Sequence, residues 1–189
     1  MPCTVRPLTL TLAIAASSAA VVLTGDTLAA QAPAAAAGHR MPAPAMRDST
    51  EAFLRVMVSH HEGLIVMSDS ARAKATRAGT KADARKLHTE QARERRQMQA
   101  MLRRMAGDTA QPTLLPSNQA YLDTLGRTEA GPAYDRTFYR LAVAHHREGV
   151  TMIDRQLPHL TAEARRMATR MRAMQQKEIA EYERKMRAI

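Results

Sequence analysis

Residues 53–67 read FLRVMVSHHEGLIVM, and a near-copy, FYRLAVAHHREGVTM, follows at 138–152. In each, apolar side chains recur every three or four residues, the spacing that gathers them on one face of an α-helix. Two adjacent histidines interrupt that face: His60 and His61 in the first copy, His145 and His146 in the second. Successive helical residues point about 100° apart, so each pair straddles two apolar stripes. One stripe is Phe53, Met57, His60, Leu64, Met67 and Ala71, and its neighbour is Leu54, Val58, His61 and Ile65. The second copy offers Phe138, Ala142, His145, Gly149 and Met152, beside Tyr139, Val143, His146 and Val150. A chain with this duplication must bury the same polar pair twice.

Each copy is followed by a second helical pattern. Ala84, Leu87, Gln91, Glu94, Met98, Met101 and Met105 share one face, and Ala168, Met171, Gln175, Glu178, Tyr182 and Ile189 share another. The same two polar residues break both stripes, Gln and then Glu three later. The spacing predicts four long helices, over about 50–78, 80–106, 132–157 and 161–189, and a short one at 119–127. Gly79 is the expected C-terminal cap of the first and Thr80 the N-cap of the second; Pro132 suits the first turn of the third. Composition agrees: aromatics make up 3%, Trp is absent, Met numbers 13, and straight-chain residues lose little rotamer freedom in helices. The fold class read from this pattern is all-α, an up-down four-helix bundle made of two tandem helical-hairpin repeats. The bundle occupies 48–189, with repeat one at 48–106 and repeat two at 131–189, and its first and third helices are expected to run parallel.

Residues 1–32 have the layout of a secretory signal peptide: Arg6, an apolar stretch from 8 to 23, then small residues. The alternative is a retained membrane anchor, against which the segment is short and rich in Ala, Ser and Thr. Residues 33–47, rich in Pro and Ala, read as a linker. A cleaved signal places the protein in the periplasm or outside the cell. The single cysteine, Cys3, leaves with the signal, so metal chemistry in the mature chain rests on His, Met and carboxylates. Formal net charge is +10, and losing Arg6 with Asp26 does not change it. Export and the lack of interleaved aromatics exclude a nucleic-acid partner. Loose contact with anionic envelope components fits the charge, and the oligomeric state stays open.

Two His, one Gln and one Glu per hairpin aimed at a core are costly unless paired or put to use. One use is structural, an interhelix hydrogen bond. The other is metal. Neutral imidazole binds copper, zinc, nickel and iron, and thioether sulfur selects Cu(I) and its soft relatives. Ligating imidazoles usually donate their second N–H to a carboxylate or carbonyl. The candidate ligands are therefore His60, His61, His145, His146, Met57, Met67, Met98 and Met152, supported by Gln91, Glu94, Gln175 and Glu178. The ion expected is copper, Cu(I) before Cu(II), or silver.

The pattern F-x-x-x-M-x-x-H-H-x-G-x-x-x-M, followed by Q-x-x-E-x-x-x-M, resembles the domain-of-unknown-function 305 family across about 48–189. The resemblance implies a secreted, ferritin-like four-helix bundle, a family in which some members are tied to periplasmic copper binding. HHEGLIVM matches the motif well. HHREGVTM departs from it: Gly149 sits one place later than Gly63, Ala142 replaces Met57, and Tyr182 replaces Met98. Those departures put the second site in doubt. Copper binding or sequestration without turnover is the leading function, so no enzyme is expected. A non-metal envelope interaction module with structural His pairs is the alternative. A ferritin-like metal oxidase is a third, but it calls for Glu-x-x-His motifs, which the sequence lacks.

Overall fold

The computed structural model describes residues 42–189. The expected signal peptide and the expected linker up to residue 41 lie outside the described residues. Five α-helices follow: α1 Ala43–Lys74, α2 Ala78–Ala106, α3 Pro116–Arg127, α4 Pro132–Gln156 and α5 Ala162–Arg187, with a 3-10 turn at Leu157–His159 before α5. No strand occurs among the described residues. The all-α bundle of two hairpins, α1/α2 and α4/α5, is as the periodicity demands.

The helix ends differ from expectation for identifiable reasons. α1 begins at Ala43, so residues 43–47 are helical rather than linker. Proline in the first turn lacks only an N–H that would be unpaired there anyway, and the Arg47 guanidinium donates to the Met105 carbonyl in the last turn of α2. α1 ends at Lys74, and neither Gly79 nor Thr80 acts as a cap; both lie inside α2. A distant side chain has taken over the capping. Asp135, fully buried on α4, accepts from the Thr76 N–H (3.3 Å), the Thr76 hydroxyl (2.6 Å) and the Arg77 N–H (3.4 Å). At the other hairpin turn, the Thr50 hydroxyl of α1 accepts from the Thr161 N–H at 2.9 Å. α2 does end on a glycine, Gly107, whose φ of 65° favours a residue without Cβ.

These caps fix the direction of the hairpins. The start of α4 meets the end of α1, and the start of α1 meets the start of α5. α1 and α4 are thus antiparallel, where a plain up-down connection would make them parallel. Residues 107–115 and α3 carry the chain back along the bundle before α4 begins. α2 and α5 also pair antiparallel, through Asp83–Lys185 at 2.7 Å and Arg104–Glu163 at 2.8 Å. The two hairpins therefore face one another as an approximate twofold pair.

The core is divided into two. One apolar cluster joins Leu64, Met67, Leu87, Tyr134, Phe138, Tyr139 and Tyr182. The other joins Phe53, Leu54, Met57, Met98, Ile153, Leu160 and Met171. Between them, on all four long helices, falls a layer of His60, His61, Gln91, Glu94, His145, His146, Gln175 and Glu178, each at most 6% exposed.

Candidate metal centre

The antiparallel α1–α4 contact brings His60 against His145. Their rings stack at 3.7 Å between centroids with 26° between planes. The His145 Nε2–H donates to the His60 carbonyl at 2.9 Å. That bond assigns the tautomer and leaves a bare lone pair on His145 Nδ1, which has no partner. Neither ring nitrogen of His60 has a partner either. Burial, then the imidazoles of His145, His61 and His146, holds His60 well below the usual histidine range. Burial, with His146 next, does the same for His145. Both rings are neutral at pH 7, the form that ligates metal.

His61 and His146 lie one step around their helices, each against a carboxylate. His61 has Glu94 Oε2 at 3.1 Å from Nε2 and the Met57 carbonyl at 2.9 Å from Nδ1. Both partners accept, and a neutral imidazole satisfies one of them at a time. His146 Nε2 lies 3.1 Å from Glu178 Oε2, close but out of line for a hydrogen bond, and its Nδ1 is unpartnered. Burial pushes the Glu178 carboxyl up, but His146 and Lys86 outweigh it and bring it down to about 2. Lys86 reaches Glu178 Oε1 at 3.0 Å from the solvent side. Glu94 and Glu178 thus sit beside the imidazoles of His61 and His146.

The glutamines complete the layer without bonds of their own: Gln91 Oε1 and both amide atoms of Gln175 are buried and unpartnered. Gly149 makes room for Gln175. A Cβ there would stand 2.5 Å from Gln175 Oε1 and 3.2 Å from His60 Cε1. Gly63 serves a different neighbour, since its Cβ would stand 2.1 Å from Asn118 Cγ of α3. The one-place shift between the two glycines therefore reflects two separate close approaches.

The thioethers divide between the clusters. Met57 and Met98 are fully buried on one side of the layer, and Met152 packs partly buried against them. Met67 lies on the opposite side. Where Met57 and Met98 flank the first repeat, Ala142 and Tyr182 flank the second, and Tyr182 stacks on His146 at 6.2 Å. Among the described residues, no three His, Cys, Asp or Glu side chains stand together as a ready ligand set.

Asn118 is the residue that sequence reasoning missed. It is fully buried, and its amide donates to the Ser59 and His60 carbonyls at 3.2 and 3.4 Å. The sequence signal was an Asn in the first turn of a short helix, together with a glycine following the His pair.

An antiparallel pair of helical hairpins with a His–Gln–Glu layer across a split core defines the class. The model of the DUF305 family (domain of unknown function) matches residues 25–102 and 51–186, and the chain belongs to that family. No curated protein matches it. Among solved structures it is similar to a DUF305 fragment from Deinococcus radiodurans, at 22% identity over 75% of this chain and 97% of that one, with a TM-score of 0.59. It is also similar to CopM in its Cu(II)-bound form, at 22% identity over 74% of this chain and 96% of that one, TM-score 0.64. CopM in its Ag-bound form matches at 24% over 71% and 93%, TM-score 0.61. These likenesses establish a shared fold.

Proposed function

We propose that this is an exported protein that binds and sequesters copper or silver, with the ion as cargo and no catalytic turnover. The observation that carries the reading is the stacked His60–His145 pair: two buried, neutral imidazoles with unpartnered ring nitrogens. An unpaired buried polar group costs about 1–3 kcal/mol, and this layer holds several. A metal ion would satisfy the imidazoles, whereas a purely structural histidine needs only one hydrogen bond. The donor set fits a soft ion. His60, His61, His145 and His146 supply nitrogen, and Met57, Met67, Met98 and Met152 supply sulfur, which favours Cu(I) and Ag(I). Glu94 and Glu178, with Gln91 and Gln175, would orient the rings. The Cu(II)- and Ag-bound structures of CopM support the metal class. Export rests on the N-terminal segment; in addition, no described helix is long and apolar enough to cross a membrane.

Cu(I) competition against a chelator tests the reading. His60→Gln with His145→Gln should lower Cu(I) affinity by well over tenfold, about 1.4 kcal/mol per tenfold, while the apo protein stays helical. Unaltered affinity in that variant would sink it. Met98→Leu, which nearly conserves volume, should weaken Cu(I) more than Cu(II). Multiple-turnover oxidation of ferrous iron by oxygen would instead favour a metal oxidase.

A further inference from the structure

The α1–α4 seam is covered along only half its length. α3 lies over the half where α1 ends and α4 begins. It is pinned there by Asn118 on the Ser59 and His60 carbonyls, by Tyr121 donating to Glu148, and by Lys74 donating to the Gly126 carbonyl. Over the other half, two clefts of about 410 and about 400 Å³ adjoin, sharing Met152 and Arg155. Met57 lines the first cleft, and His60 lines the second beside Thr151 and Ser117. The α2–α5 seam on the far side is latched by Lys86–Glu178, Asp83–Lys185 and Arg104–Glu163.

We infer that this open half-seam is the port by which a soft monovalent cation, Cu(I) or Ag(I), reaches the polar layer. Met152 makes the first thioether contact and His60 the first imidazole contact. This rests on the metal-binding reading above and adds a route to it. Donor exposure is graded along the route. Met152 is partly buried, while Met57 and His60 are almost wholly so, at 0% and 1%. The charged residues lining the clefts are Arg147, Glu148 and Arg155. Arg147 is paired with Glu183 and Glu148 accepts from Tyr121. With two arginines against one glutamate the mouth is mildly positive, which opposes a dication about twice as strongly as a monocation, so selection falls to sulfur and imidazole. Val56, 44% exposed beside Met57's cleft, adds an apolar lip.

Stopped-flow transfer of Cu(I) from a chelator to the mature protein tests the port. Thr151→Trp from α4, or Ser117→Trp from α3, fills the cleft without replacing any of the proposed ligands. Each should slow uptake by about tenfold or more and leave equilibrium Cu(I) affinity within about twofold. Arg93→Trp, on an exposed face of α2, should change neither. Wild-type uptake rates in both folded cleft variants, at unchanged affinity, would overturn the port and leave the metal reading standing. Failure of the wild-type protein to bind Cu(I) at all would overturn both.

Discussion

Gly63 has no room for a side chain, because the Asn118 amide of α3 fills the space a Cβ would take. Asn118 is itself held by two α1 carbonyls, so it cannot swing clear without losing both bonds. Gly63→Ala should therefore destabilise the protein by about 1–3 kcal/mol, the usual cost of overpacking, measured by urea unfolding. Gly63→Ala with Asn118→Ala should cost less than the two single changes added together, because the second removes the clash made by the first. Full additivity would show that the contact is not what excludes the methyl. The histidines, glutamines and glutamates of the polar layer were legible in the sequence because their duplication at helical spacing exposes them. Asn118 was not, since it occurs once, on a helix with no counterpart in the repeat. Nor was the difference between His60 and His61. Adjacent residues of one motif look equivalent in sequence, and only the antiparallel contact with α4 leaves one unpartnered while the other meets a carboxylate.

The helices themselves followed from periodicity, but their ends did not. Gly79 and Thr80 are good local signals for a stop and a start. Both were overridden by Asp135, a residue more than fifty positions away that supplies three acceptor contacts to the α1–α2 turn. Local sequence carries no trace of a cap that arrives from another helix. Asp135→Ala should cost about 2 kcal/mol, at the upper end for a lost cap because the site is buried. Thr50→Ala removes a single such bond at the α5 start and should cost about 1 kcal/mol. Equal effects of the two changes in denaturant unfolding would show that the extra bonds of Asp135 add nothing.

At the scale of the whole molecule, the connection between hairpins decides what the site is made of. α2 is 29 residues long, about 43 Å at 1.5 Å per residue, and residues 107–131 return the chain over that length. Replacing them with a four-residue Gly/Ser linker leaves a reach of only about 14 Å, so α4 would have to start at the opposite end. Circular dichroism should still show a mostly helical chain, but the His60–His145 stack would be lost and Cu(I) affinity should fall with it. Retained affinity would show that the antiparallel arrangement is dispensable. The hydrophobic pattern could not reveal this direction, because it reads the same whichever end a neighbouring hairpin presents; the signal lay in the length of the connection at 107–131. The reciprocal caps carry the consequence furthest. Each hairpin's turn is completed by a side chain from the other: Asp135 for Thr76 and Arg77, Thr50 for Thr161. A turn of this kind cannot open while its partner stays closed. In amide hydrogen exchange, Thr76, Arg77 and Thr161 should resist deuterium as long as the slowest helical amides do, although loop-end amides normally exchange early. The two hairpins would then open as one cooperative unit.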